Sequence, residues 1–527
     1  MGGYIWRGAQ LPRTADDLVM RTLATADRVP DRPALIDARD ETVTTYGALA
    51  DRLRRAASSL SALGIGKGDV VATLTPNSSA WVTLALGIMA IGGVVTGINP
   101  MLKPEEIARQ IKASGATVLA VASGLLPIVE RAGLDRLVRV LLLLDGPVGH
   151  RRTLAALIRD GEADPVIAAP APEDTVLLPF SSGTAGFPKG VEIPARSLAL
   201  SIEIARRSLD LSDDDIVMAV TPFFHIAAIS GILGPALAFG LPVVIVPVPE
   251  IDTVLGAIER YRVTFTIVTP PMIGALAGHP AVERHDLSSL RAVCCTAAPL
   301  SAGIQTAAAR RVGATIFQCY AMTESVGPIV LGPTRDPHPG SSGKVAPGVE
   351  VRIIDPASGG DVQAGVSGEV WFRSPMAMRG YHNDAGATAG MITADGWMRT
   401  GDLGRFDADG NLFIIDRLKE LIKVNGAQVA PAELEAVIAA YPGVADVAVI
   451  GRPSATSGEV PVACVVASAP IEAKALMDWV AERVAPFKRL HAVELVDNIP
   501  RQPTGKVMRR LLRERAGVGV GGPSLPG

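Results

Sequence analysis

Strand-like and helix-like runs alternate, a few residues apart, through the first four hundred positions of this chain, and that alternation restricts it to sheets covered by helices. Thr45 can cap a helix from Tyr46 to Leu63, whose Leu49, Leu53, Ala56, Ala57 and Leu60 form one apolar stripe. Gly64 stops it, and Asp69 to Leu74 follows as a buried strand. A helix over 80–91, a strand over 94–98, a helix over 104–114 and a strand over 117–121 continue the series. Leu241 to Val246, Phe265 to Val268 and Leu290 to Thr296 repeat it. Such units with short connections predict parallel sheets. From about Glu350 the texture changes to short strands with turn residues, Val351 to Asp355 and Glu369 to Phe372, which predict an antiparallel subdomain. The charged stretch Asp416 to Glu420 then precedes a terminal region with its own strand and helix set. The expected division is a large N-terminal α/β domain over 1–416 and a small C-terminal α+β domain over 417–527, with 516–527 a disordered tail.

A chain of 527 residues is expected to divide into two or more domains. The net charge of −3 advertises no basic surface, so no nucleic-acid partner is expected. Cys294, Cys295, Cys319 and Cys464 are too few for a disulfide framework and lack metal-ligand spacing; reduced thiols in a cytoplasmic protein account for them. The N-terminus lacks a signal peptide's apolar run. The most apolar window, Trp81 to Ile98, is broken by Gly87, Gly92 and Gly93, which predicts a buried helix and strand rather than a membrane span.

The apolar run Thr175 to Phe180 predicts a strand that feeds the loop Phe180 to Gly190, with Ser181, Ser182, Gly183, Thr184 and Lys189 in it. Glycines let backbone N–H groups approach an anion closely, and the lysine adds a full charge, so the loop suits a polyphosphate. It is not the common P-loop, because Gly190 follows the lysine where Ser or Thr is needed. Five further segments carry candidate chemistry. Pro222 to Ile226 holds His225 amid aromatics, where a histidine is more often a packed structural residue than a functional one. Gln318 to Glu324 could set Tyr320 to stack on a base, Thr323 to bond a phosphate and Glu324 to hold a magnesium ion, although an ordinary strand end entering a helix also explains it. Gly396 to Asp402 ends in a carboxylate suited to ribose hydroxyls, although a simple turn cap also explains it. Asp416 to Gly426 is the charged junction, and Pro500 to Lys506 is a rigid turn presenting a lysine.

In order and wording these six segments resemble the acyl-adenylating superfamily, which includes acyl-CoA synthetases and 4-coumarate–CoA ligases, from about Thr44 to Arg510. The resemblance implies an AMP-forming acid–thiol ligase: ATP and a carboxylic acid give an acyl-adenylate and pyrophosphate, and coenzyme A then displaces AMP. It implies ATP, Mg²⁺ and coenzyme A as cosubstrates and cofactor, a mobile C-terminal domain, and compatibility with a homodimer. By the same resemblance Ser181, Ser182, Gly183, Thr184 and Lys189 clasp the β- and γ-phosphates, and Thr323 the α-phosphate. Glu324 holds Mg²⁺, Gln318 and Tyr320 meet the adenine, Asp402 takes the ribose with Arg417 beside it, and Ala297 is a further cofactor-binding residue. His225 gates the substrate carboxylate, Lys506 bridges carboxylate and α-phosphate, and Asp416 is the hinge. Lys419, Lys423 and Gly426 serve AMP or the thiol tunnel once the small domain has turned. His225, Ile226, Ala227, Gly231, Thr296 and Ala321 line the acid pocket.

The chain departs from the family's pattern at Ala185, where a second threonine is frequent, at Cys319 and Ala321, where glycines are common, and at Asn425, which removes a lysine near the coenzyme A tunnel. Ala227 and Ala228 after His225–Ile226 make the pocket apolar and roomy, which favours an aliphatic or bulky apolar acid; Ala321 narrows its far end. Three alternatives stand beside the acyl-CoA synthetase: an aryl or 4-coumarate-type CoA ligase, an acyl-AMP ligase loading a carrier-protein thiol, and a non-catalytic nucleotide-binding protein. The last is expected to have lost Lys506, Glu324 or Asp402, and all three are present.

Overall fold

The computed structural model describes the chain except residues 1–4, 12–15, 166, 182–187, 425–426, 455, 502–506 and 516–527. Two nine-stranded sheets, a five-stranded antiparallel sheet and a C-terminal five-stranded sheet make up its β-structure among the described residues. A large N-terminal α/β domain holds the first three and a smaller C-terminal domain the last.

The first large sheet has parallel Val70–Leu74 between Val94–Ile98 and Val118–Val121, with Val140–Leu143 beyond. The second runs parallel from Pro33–Asp37 through Val243–Ile245, Val217–Ala219, Phe265–Val268 and Ala292–Cys295 to Thr315–Tyr320. Every residue of Val70–Leu74 and of Phe265–Val268 is buried, which is why these strands read as continuous apolar runs. The predicted helix forms over Tyr46–Ala62: the Thr45 hydroxyl accepts from the Ala48 N–H at 3.2 Å, and its whole apolar stripe is buried. It packs on the helix Ser79–Met89, where a Cβ on Gly87 would stand 3.1 Å from that of Ala56. The window Trp81 to Ile98 is thus a buried helix and strand, and no described helix is long and apolar enough to cross a membrane.

One expected strand is divided. The run Thr175 to Phe180 becomes Thr175–Leu177, beside Val94–Ile98, and Phe180–Ser181, paired with Gly190 and Lys189. Pro179 separates them because it has no N–H to continue the ladder. The antiparallel subdomain is ordered Trp6–Arg7, Glu350–Ile354, Gly368–Arg373, Met398–Phe406, Leu412–Arg417. Its N-terminal edge strand was not anticipated; Trp6 stacks on Phe406 with ring centroids 4.3 Å apart.

The C-terminal sheet pairs Val444–Ser454 with Gly458–Ala467, and the helices Pro431–Ile438 and Ala473–Ala481 cover it through Leu434, Ile438, Leu476 and Val480. At the junction Asp416 is buried; its two oxygens accept from the N–H groups of Arg417 (2.7 Å) and Ala432 (2.9 Å). Burial raises its carboxyl pKa, opposed by the Arg509 guanidinium, which pairs with Glu435 at 2.7 Å.

Candidate active site

Loops leaving the ends of parallel strands wall one apolar cavity of about 180 Å³: Thr221 to Gly231 after Val217–Ala219, Thr269 after Phe265–Val268, Thr296–Ala297 after Ala292–Cys295, and Cys319 to Leu331 at the end of Thr315–Tyr320. Ligands commonly bind at this edge of an α/β sheet. All the residues expected to line the acid pocket, namely His225, Ile226, Ala227, Gly231, Thr296 and Ala321, lie on this wall, with Ala297 and Thr323. Ala297 holds φ at +80°, a region costly for a side chain and concentrated at functional sites.

The His225 segment is locked from behind. Asn77 is buried; its amide donates to the Thr221 carbonyl at 3.0 Å and its oxygen accepts from the Phe223 N–H at 2.8 Å. Gly97 of the neighbouring strand passes so close that a Cβ there would meet Phe224 Cα at 2.6 Å. The imidazole stands 4.5 Å from the Phe224 ring, and its Nε2 is buried with no hydrogen-bond partner among the described residues. Burial pushes its pKa down to about 4, so the ring is neutral at neutral pH and offers shape and an N–H rather than charge. Because the unfolded chain takes up this proton first, stability linked to His225 is full above pH 6.5 and falls between 6.5 and about 4. The loss is on the order of 3 kcal/mol. Thermal melts of wild type and His225→Asn are expected to differ progressively over that window; parallel curves would contradict a buried neutral ring.

A second cluster joins three residues expected at the nucleotide. The Tyr320 hydroxyl donates to Asp402 Oδ2 at 2.7 Å, and Arg417 Nε stands 3.0 Å from Asp402 Oδ1. The strand register places Asp402 directly opposite Arg417, and the Thr400 hydroxyl accepts from the Asp402 N–H at 3.0 Å. Burial, then the Asp402 charge, hold the Tyr320 phenol well above its usual range. Tyr320 therefore anchors the carboxylate through its hydroxyl, a contact its expected stacking role did not include. Gln318 is buried, its amide engaged with both backbone groups of Leu300 (3.0 Å each) and with Gln305 (3.0 Å).

A third cluster surrounds Glu324. It is buried, accepts from the Tyr381 hydroxyl at 2.8 Å, and has no cationic partner among the described residues. A buried carboxylate without a counter-charge fits a cation. Magnesium is commonly held by one or two carboxylates together with phosphates and water, so a single buried carboxylate such as Glu324 suits it. Ser181 and Lys189 pair across the hairpin bearing the loop, and Lys189 Nζ lies 5.1 Å above the Tyr381 ring. Lys419 and Lys423 are exposed. Ser182, Gly183, Thr184, Gly426 and Lys506 lie outside the described residues. Asn77 and Tyr381 escaped the sequence reading; each stands beside a noted motif only through contacts between distant segments.

Residues 23–382 match the model of the AMP-binding enzyme family, and residues 433–506 match that of the AMP-binding enzyme C-terminal domain. The chain belongs to the AMP-binding enzyme family. This AMP-binding enzyme is 38% identical over 518 residues to 4-coumarate–CoA ligase 2 of Oryza sativa subsp. japonica, covering 93% of this chain and 91% of the relative. Its fold matches the anthranilate CoA ligase AuaEII in complex with anthranoyl-AMP (TM-score 0.88, 27% identity, 96% of this chain and 98% of that one). It also matches the amide bond synthetase McbA of Marinactinospora thermotolerans (TM-score 0.84, 31% identity, 94% and 99%). The AMP-binding enzyme is an AMP-forming acid–thiol ligase.

Proposed function

We propose that this enzyme activates an aliphatic or bulky apolar carboxylic acid and transfers it to coenzyme A. A carboxylate oxygen attacks the α-phosphorus of ATP and pyrophosphate leaves. The thiol sulfur then attacks the acyl carbonyl carbon, and AMP departs with the electron pair of the broken C–O bond. A carboxylate is a poor electrophile with a poor leaving group, and joining it to AMP repairs both faults. The observation that carries this reading is the apolar cavity walled by Thr296, Ala297 and Thr323, in a chain whose Tyr320 leads directly to the Asp402–Arg417 pair.

Residues 1–416, with Arg417 closing their last strand, hold the acid and nucleotide, and the residues that follow turn about Asp416 between the half-reactions. Ser181, Ser182, Gly183, Thr184 and Lys189 grip the β- and γ-phosphates, and Thr323 the α-phosphate. Asp402 and Arg417 take the ribose, while Tyr320, Ala297 and Gln318 border the adenine. Glu324 would hold Mg²⁺, whose chemistry there is to neutralise phosphate charge. His225 shields the acid's carboxylate, Lys506 serves adenylation, and Lys419, Lys423 and Gly426 serve the thiol step. The unpaired cysteines fit a reducing, cytoplasmic setting. Incubation with ATP, coenzyme A and a panel of acids, read by acyl-CoA mass and acid-dependent pyrophosphate release, tests the whole; no pyrophosphate with any acid would refute it.

A second reading, an aryl acid of the 4-coumarate type, is favoured by the rice relative and by the Ser230 hydroxyl on the cavity wall. Ser230 already donates to the Ile226 carbonyl at 3.0 Å, so it can only accept from a phenol. The panel should therefore pair each hydroxylated aryl acid with its unsubstituted analogue. Gly231 sets the cavity's width: a Cβ there would meet Ile267 Cδ1 at 2.6 Å. Gly231→Val is expected to cut kcat/KM for bulky acids about tenfold or more while sparing short ones. A uniform loss across the panel would place the acid elsewhere.

A further inference from the structure

We propose that Tyr381 is a positioning residue that ties the phosphate-loop lysine to the metal-holding carboxylate. The proposal rests on the roles given above to Lys189 and Glu324. The short strand Gly380–Tyr381 adds to the hairpin that bears the loop, with Val191 opposite Tyr381 and Glu192 opposite Gly380. Several bonds fix it there: the His382 N–H donates to the Gly190 carbonyl at 2.8 Å, His382 Nδ1 lies 2.7 Å from Glu192 Oε1, and the Tyr381 N–H donates to the Thr388 hydroxyl at 2.9 Å. A Cβ on Gly190 would stand 3.3 Å from that of His382, so the contact is close.

From this position one side chain reaches both groups. Its hydroxyl donates to Glu324 Oε1 at 2.8 Å, and its ring face receives Lys189 Nζ at 5.1 Å. The backbone closes the same circuit, because the Met378 N–H donates to the Glu324 carbonyl at 2.9 Å. A bond to one carboxylate oxygen restrains the rotation of Glu324 and leaves the other oxygen for a cation. Lys189 is held loosely, over the ring and 4.0 Å from Asp384 Oδ2 in a half-exposed pair, so it is oriented yet free to move onto a phosphate.

Calorimetric binding of α,β-methylene-ATP, with Mg²⁺ or with EDTA, and of AMP tests this. Tyr381→Phe is expected to weaken the analogue about tenfold in Mg²⁺, the size of one hydrogen bond to a charged group, with little change in EDTA and none for AMP. Tyr381→Leu, which also removes the aromatic face, is expected to weaken the analogue in EDTA too. In a Glu324→Gln background Tyr381→Phe should add nothing further. Wild-type binding by Tyr381→Phe in Mg²⁺, or equal losses for the analogue and AMP, would overturn the proposal. If the wild-type enzyme gains no analogue affinity from Mg²⁺, the role of Glu324 fails first and the proposal falls with it.

Discussion

Lys506→Ala is expected to slow adenylation by roughly three orders of magnitude while sparing thioester formation from presynthesised acyl-adenylate. A cation about 4 Å from developing negative charge contributes about 4 kcal/mol at an effective dielectric near 20. At about 1.4 kcal/mol per decade, that accounts for the expected rate loss. In the role proposed for Lys506, its charge would matter when carboxylate and α-phosphate are forced together, and not once the mixed anhydride exists. Arg501, shortly before it in the sequence and bonded to Asp446, borders a second cavity with Thr221, Pro222 and Thr269, which also wall the acid cavity. Acid-dependent pyrophosphate exchange measures the first step, and thiolysis of synthetic acyl-AMP the second. Equal losses in both would contradict a lysine confined to one half-reaction, whereas Lys423→Ala should show the opposite bias.

Asp402→Ala is expected to weaken AMP and ATP about a hundredfold and to depress both half-reactions together. The carboxylate is buried and joins the Tyr320 hydroxyl to the Arg417 guanidinium, so truncation leaves two donors without their acceptor. The affinity loss follows from the two ribose hydroxyls expected to donate to this carboxylate: each such bond contributes about 1.5 kcal/mol or more, and two together correspond to roughly a hundredfold. Asp402→Asn keeps the shape and an acceptor and should lose less. Calorimetric titration with AMP decides it: undiminished affinity would leave Asp402 as a structural strap for Tyr320 and Arg417 alone. The two variants thus separate a residue of one step from a residue of both.

Much of the fold was legible because its signals are local. The stripe from Leu49 to Leu60 needs only helical spacing, and the buried strand Val70–Leu74 needs only an unbroken apolar run. The antiparallel subdomain announced itself by turn residues, yet nothing near Trp6 said that it would join that sheet, because its partner Val351 is remote in sequence. Pro179 was visible, but its division of the Thr175 to Phe180 run depends on which neighbour each half pairs with.

Residue types and their order were enough to nominate Tyr320, Glu324, Asp402 and Lys189, since hydroxyls, carboxylates and lysines carry their chemistry wherever they stand. What those groups touch was decided by tertiary structure alone. Tyr320 meets Asp402 across 82 positions, Tyr381 meets Glu324 across 57, and Asn77 grips Phe223 across 146. Hydrogen bonds act over about 3 Å, and only the packing of separate sheets brings such distant segments within that range.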